Sequence, residues 1–356
     1  MGVLGCFLLL TFYSVVGGWI FIYSGLGLTG AVIDPAIDPA ELFGKIIGTP
    51  WITLVGLALF TLANVLVISL GVQNGIEKAN KWMMPLLFIM FIVLVIRAVT
   101  LDGAMEGIKF FLWPDFSNIT GKSILEALGQ SFFGLAVGFS CLVTYSSYLK
   151  KDVSLPNSAG SVVMLTVLVS FLAGLAIFPV VFAFDLEPAA GPGLLFMVLP
   201  TAFSQMPFGE VFLAMFLLLF LFATLTSSFS LYEIIVAALM ENSQKTRLVW
   251  TSCLGVVVFL AAIPASLSSS LLADVSVFGK NIFDATDFLV SNLMLPLGNL
   301  FIAIFIAYVV DKEFVRRELL MGSHMGQGYY SAYRLLMLII VPVVILVVFV
   351  NMLLQY

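Results

Sequence analysis

Nine apolar stretches, nearly free of charge and each long enough to cross a bilayer as a helix, recur along this 356-residue chain. They lie at about 3–28, 50–71, 82–100, 124–149, 159–184, 209–240, 247–267, 286–310 and 331–354. A helix needs about 17–25 apolar residues to span the hydrocarbon core. Inside lipid every backbone N–H and C=O must find a partner within the protein, which helices provide and irregular chain does not. Composition agrees: 62% of the residues are hydrophobic and 10% charged, against about 45–50% and 25% in average soluble domains. A soluble core of this size cannot hide so much apolar surface, so the sequence reads as an all-α integral membrane protein. A tenth apolar stretch, GPGLLFMVLPTAFSQMPFG at 191–209, holds three prolines. It reads as short pieces forming a re-entrant or surface lid.

Lysines and arginines set the expected orientation, because cytoplasmic loops carry the excess. Lys78, Lys81, Lys150, Lys151, Lys245, Arg247, Lys312, Arg316, Arg317 and Arg334 flank the loops after the even-numbered spans, ten in all, against Lys45, Arg97, Lys109, Lys122 and Lys280 on the other side. The N-terminus is thus expected in the cytoplasm and the C-terminus outside it. No Lys or Arg precedes the first span, and the first charge of any kind is Asp34. A secretory signal needs a basic start and a shorter apolar core. The sequence therefore reads as beginning inside a longer membrane protein.

Several function classes drop out. Cys6, Cys141 and Cys253 lie in separate apolar runs without ligand-like spacing and read as small packing residues. The single histidine, His324, sits in a polar loop. Without paired His and acidic residues in the spans, an enzyme is not expected. The net charge of −5 has no cluster behind it, and no basic patch points to nucleic acid.

Two polar islands interrupt the apolar runs. GQSFFGLAVGFSCLVTYSSY (129–148) contains three glycines around Ala136-Val137-Gly138-Phe139. Glycine weakens a helix by about 1 kcal/mol relative to alanine, so this span has a weak point near its middle. Two readings are open: close helix packing through small residues, or an unwound segment whose freed backbone lines a cavity. The second island is Ala223-Thr224-Leu225-Thr226-Ser227-Ser228-Phe229-Ser230. Helical spacing puts the Ala223 carbonyl and the Thr226 and Ser227 hydroxyls on one face, at i, i+3 and i+4. Neutral oxygens suit a hard monovalent cation that must also be released. Hydroxyls bonding back to the preceding turn are the plain alternative. Two polar islands at midplane depth suggest a transport pathway.

With their flanks, these islands resemble the neurotransmitter:sodium symporter family, LeuT-type and bacterial-like. FYSVVGGW (12–19), GVQNGIEKANKWMMPLLF (71–88), WPDF (113–116), GQSFFGLAVGFSCLVTYSSYLKKD (129–152), AGLAIFP (173–179), GPGLLFMVLPTAFSQMP (191–207) and FATLTSSFSLYE (222–233) follow the family's order over essentially the whole chain. The resemblance implies a LeuT-fold inverted-repeat helix bundle with one interrupted helix. The nine spans match the family's third through eleventh, so that an N-terminally truncated chain is expected, without a GNxWRFPY-like stretch. Residues 1–100 would be the remainder of the first repeat, 124–310 the second repeat, and 331–354 an additional C-terminal span.

The resemblance also implies roles. Tyr13 matches the tyrosine whose hydroxyl holds the substrate carboxylate, with a core tyrosine as the alternative. Phe133, Ala136 and Phe139 match the unwound region lining the substrate pocket. Ser228 and Leu231 match its side-chain end, and Leu9 and Val16 share the Tyr13 face; ordinary core packing is the alternative for all of these. Ala223, Thr226 and Ser227 match half of one sodium site. Gly134 and Thr166 occupy positions of a second, where family members usually carry a hydroxyl residue and an Asn or Asp. Gln130 and Ser170 match positions associated with chloride, or with the carboxylate replacing it; no acid stands near Ser170. Asp287 matches an extracellular-gate aspartate, with a helix-cap aspartate as the alternative. Glu233 is expected to face cytoplasmic water or a partner within the bundle.

The expected function is sodium-coupled symport of an amino acid or related small amine by alternating access in the cell (plasma) inner membrane. A small-molecule substrate, the bilayer, sodium, chloride as an optional second ion, and a second copy of the chain as a homodimer are the partners implied. The alternative is a non-transporting remnant or membrane interaction subunit that takes its missing spans from another polypeptide.

Overall fold

The computed structural model describes residues 2–33, 37–117, 119–150, 153–188, 191–241, 243–322 and 326–354. Asp34, Lys151 and His324 lie outside them. Among the described residues eight continuous helices are long and apolar enough to cross a membrane: α1 (Gly2–Leu28), α3 (Pro50–Ser69), α4 (Val72–Val99), α8 (Leu155–Ala183), α10 (Gly209–Met240), α11 (Arg247–Ser266), α12 (Ile282–Val309) and α14 (Gln327–Leu353). The remaining expected span, the fourth at 124–149, is divided into α6 (Gly121–Gly134) and α7 (Cys141–Ser146). Between them lie the short helices α2 (Pro39–Gly48), α5 (Ala104–Leu112), α9 (Leu194–Ser204) and α13 (Lys312–Leu320). No strand occurs among the described residues.

Helix ends follow local chemistry. Asp38 caps α2 by accepting from the Ala40 N–H, with Pro39 at the first helical position, where its missing N–H costs nothing. Thr120 and Ser123 close a reciprocal cap at the start of α6. Asp311 accepts from the Glu313 and Phe314 N–H groups to begin α13. The long helices show the membrane pattern instead. Leu335, Leu336, Ile339, Ile340, Val343 and Leu346 all stand exposed on α14, as lipid-facing side chains should.

Two compact units emerge from the packing: Met1–Leu8, Asp115–Val169 and Asp287–Tyr356 form one, Leu9–Pro114 and Ser170–Thr286 the other. Each draws on segments from both expected repeats, so packing does not follow the order of the chain. In the first unit α14 packs on α12 and α6. In the second, α11 packs along α3, and α10 lies against α3, α4 and α11. Close approach of α1 to α3 requires glycine. A Cβ on Gly18 would stand 2.7 Å from the Gly56 backbone, and one on Gly56 would stand 2.7 Å from the Gly18 carbonyl oxygen.

Of the two readings of the 191–209 stretch, the surface lid is corrected by burial. Residues Leu194–Ser204 form one continuous helix, and Phe196, Leu199, Ala202 and Phe203 are buried in the second unit. Aromatic packing explains the burial: Phe196 stacks on Phe43 of α2 at 5.0 Å and lies 4.6 Å from the Tyr23 ring of α1. Cys253 is a second correction, because it is exposed on α11 and packs nothing inward, whereas Cys6 and Cys141 are buried as expected. All three thiols are free.

Candidate functional site

In the first unit the weak point of the fourth span is a true break. Helix α6 ends as Ala136 N–H bonds Phe133 O and Val137 N–H reaches back to Phe132 O, with Ala136 at φ +50°. That is the left-handed helix stop usually assigned to glycine. Gly138 follows at φ +98° and Ser140 at φ +63°, after which α7 starts at Cys141. Left-handed geometry costs a side-chain-bearing residue about 1–2 kcal/mol, so Ala136 and Ser140 carry strain in this segment. Phe139 is buried, its ring 3.2 Å from where a Gly5 Cβ would lie, and its carbonyl accepts from the Cys6 thiol at 3.0 Å. Phe133 and Gly134 are exposed, and Ala136 is half-buried. Ala136, Gly138, Ser140 and Tyr145 line a largely apolar cavity of about 580 Å³ with Val162 and Ile302, within the range of small-molecule pockets.

Both readings of the glycines meet at Gly138, which lines the cavity in the unwound segment and is closely packed. Gly138 packs tightly: a Cβ there would stand 2.7 Å from the Leu295 carbonyl oxygen and 3.2 Å from Asn299. Gly134 has no atom within 4 Å of a Cβ. Gly138→Ala is therefore expected to lower the midpoint of thermal unfolding in detergent by several degrees, since wrong-handed φ and a backbone clash combine, at about 2 kcal/mol or more. Gly134→Ala is expected to leave that midpoint unchanged. Equal effects of the two substitutions would contradict this account of the break.

The second unit holds the hydroxyl island on α10. Thr226 Oγ1 and Ser227 Oγ both donate to the Ala223 carbonyl oxygen, at 3.0 and 2.9 Å. This is the back-bonding expected of hydroxyls in apolar helices, and it also gathers three neutral oxygens around one point. Neighbouring ligands of calcium, a cation close to sodium in radius, stand about 3.3–3.7 Å apart for bond lengths of about 2.3–2.6 Å. Small hydroxyl rotations would turn the same three oxygens toward a cation. Thr226 is half-buried and Ser227 exposed, so neither is sealed into the unit's core.

Tyr13 stands at the same place. Its hydroxyl donates to the Thr224 carbonyl at 3.5 Å, and the Ser227 and Thr224 side chains lie beside the phenol. Tyr13 and Val16 are half-buried, while Leu9 and Leu231 are buried. Ser228 is fully buried and donates to Asn64 Oδ1 of α3 and to the Leu225 carbonyl. Its hydroxyl is thereby committed to α3, leaving only its Cβ for a substrate side chain.

The remaining expected positions are less engaged. Thr166 spends its hydroxyl on the Val162 carbonyl one turn back, at 2.9 Å. Gln130 and Ser170 are exposed and belong to different units. Asp287 accepts from Ser291 at 2.7 Å, just where α12 loosens into a wider turn over Phe288–Met294. Such turns recur at functional places in helices. Glu233 takes the second of its two expected settings. It is completely buried and paired with Arg247 of α11. Among the described residues no group of three or more His, Cys, Asp or Glu side chains forms a metal cluster.

Sequence reasoning missed Asn64. An asparagine inside an apolar run must find a partner, so its presence in 50–71 was the available signal. It donates to the Phe60 carbonyl at 2.9 Å and accepts from Ser228.

Comparison with known proteins bears on this geometry. The model of the family described as "Sodium:neurotransmitter symporter family" matches residues 46–356. An uncharacterized sodium-dependent transporter, YhdH, of Bacillus subtilis (strain 168) is 48% identical over 357 residues, covering 99% of this chain and 78% of its own length. An uncharacterized sodium-dependent transporter of Haemophilus influenzae is 38% identical over 360 residues, with the same coverage of 99% and 78%. The crystal structure of MhsT in complex with L-phenylalanine superposes with a TM-score of 0.89 at 38% identity, covering 99% of this chain and 80% of that one.

Proposed function

The chain belongs to the sodium:neurotransmitter symporter family, and on that premise we propose that it is a sodium-coupled symporter of an amino acid working by alternating access. The three α10 oxygens carry this reading: Thr226 Oγ1 and Ser227 Oγ lie 3.0 and 2.9 Å from Ala223 O, and the three form the protein's share of a sodium site. They are neutral, so a bound cation keeps its charge and is released without breaking an ion pair. Moving that charge inward across the membrane is worth about 2.3 kcal/mol per 100 mV, enough to drive accumulation of a neutral solute. Tyr13 holds the substrate carboxylate through its phenol. Leu9, Val16 and Leu231 of the same unit contact the substrate's remaining groups. The L-phenylalanine in the MhsT structure supports the amino-acid class.

Finer features follow the same reading. Gly134 and Thr166 contribute to a second sodium site, Gln130 to chloride binding, and Asp287 to the outer gate. The excess of Lys and Arg on one side, ten against five, supports a cytoplasmic N-terminal end and an extracytoplasmic C-terminal end in the plasma membrane.

Uptake of labelled amino acids is measured in proteoliposomes containing the whole product of the gene, with an inward gradient of sodium, potassium or protons. The expected result is accumulation of at least one amino acid with sodium alone, and a reduced rate when gluconate replaces chloride. Equal uptake with all three cations, or none of any amino acid with sodium, would overturn the proposal.

A further inference from the structure

We propose that Ser14 of α1, Thr61 of α3 and Tyr232 of α10 bind one ordered water molecule in the core of the unit formed by Leu9–Pro114 and Ser170–Thr286. Ser14 and Tyr232 are 0% exposed and Thr61 is 6% exposed. The Tyr232 phenol faces the Thr61 and Ser14 hydroxyls. Yet none of the three oxygens has a hydrogen-bond partner among the protein's atoms at normal length and angle.

Serine and threonine in an apolar helix ordinarily bond back to their own helix, and in this unit many do. Ser24 donates to Ile20 O, Thr53 to Pro50 O, and Thr224 to Phe220 O. Ser14 and Thr61 do not, so their hydroxyls are free to serve a shared partner. Buried polar groups left without a protein partner are the setting in which an ordered water binds. A buried water typically makes about three hydrogen bonds, and three hydroxyls, each able to donate once and accept twice, supply that number. The set contains no cationic side chain, so water suits it better than an anion.

The consequence is positional. Asn64 lies one turn from Thr61, and its partner Ser228 lies one turn from Tyr232. The direct Asn64–Ser228 bond and the water are thus successive rungs joining α3 to α10, and the water rung extends to α1 beside Tyr13. Together they fix the register of α10 against the two helices packed on it.

A high-resolution structure of the purified protein tests this directly. A solvent peak within hydrogen-bond distance of all three oxygens is the expected result. Direct hydroxyl-to-hydroxyl bonds with no peak would overturn the proposal. Thermal unfolding gives an independent reading. Tyr232→Phe leaves the water short of a partner and is expected to lower the unfolding midpoint by several degrees. The triple variant Ser14→Ala, Thr61→Val, Tyr232→Phe removes the water's whole shell and is expected to unfold at or above the midpoint of Tyr232→Phe. A triple variant whose losses simply add, or a Tyr232→Phe variant more stable than the parent, would contradict a bridging water.

Discussion

Replacing Arg247 by alanine is expected to cost the fold about 3–5 kcal/mol, the range for breaking a buried ion pair by removing one partner. Glu233 is 0% exposed and Arg247 19%. The guanidinium grips both carboxylate oxygens, Nη1 to Oε1 at 3.2 Å and Nη2 to Oε2, while Nε donates to the Ile68 carbonyl at 2.7 Å. One side chain therefore satisfies a carboxylate on α10 and an end carbonyl of α3 from its position on α11. Alanine would take the guanidinium from the carboxylate and the Nε–H donor from the carbonyl, and a protein domain's whole net stability is only about 5–15 kcal/mol. Thermal unfolding in detergent is the measurement, with a loss of the folded form at growth temperature as the extreme outcome. Arg247→Lys is expected to recover little, because an ammonium cannot grip two oxygens and a carbonyl in one plane. Joint replacement of Glu233 and Arg247 by leucine is expected to recover most of the loss, since an apolar pair leaves no charge stranded. If Arg247→Ala unfolds within a degree of the parent, the pair does not hold these helices together.

The second large effect concerns function and not stability. Thr226→Ala with Ser227→Ala removes two of the three oxygens gathered at Ala223. Hydrogen-bond or ligand contacts to a charged group are worth about 1.5–3 kcal/mol each, and each 1.4 kcal/mol is about tenfold in affinity. The sodium concentration giving half-maximal uptake is therefore expected to rise at least about tenfold. Stability without sodium should hardly change, because both hydroxyls bond only within their own helix and alanine is the better helix former. Exchanging the two residues, Thr226→Ser with Ser227→Thr, keeps both hydroxyls and is expected to keep sodium activation near normal.

The sequence revealed the membrane helices because lipid makes hydropathy and length speak plainly: eight of the nine expected spans are continuous helices. The break at Leu135–Ser140 was legible through its glycines, although Ala136 and Ser140 take left-handed geometry that their identity does not announce. Helices α2, α5 and α13 were not found, since they lie outside the apolar runs and their signals are local, such as the Asp38-Pro39 start of α2. The Ala223, Thr226 and Ser227 face could be read because helical spacing alone brings it together. Glu233–Arg247 and Asn64–Ser228 could not, because the partners lie 14 and 164 residues apart and only packing selects them. The burial of the 191–209 stretch was hidden for the same reason, since it depends on Phe43 and Tyr23 from distant helices.

Equilibrium binding of labelled sodium to the purified whole gene product, parent against the Thr226→Ala and Ser227→Ala double variant, tests the central claim most directly. The account predicts saturable binding in the parent that excess potassium does not displace, and at least about tenfold weaker binding in the variant, in line with the loss of two oxygen contacts. Sodium binding of equal strength in both proteins would contradict it.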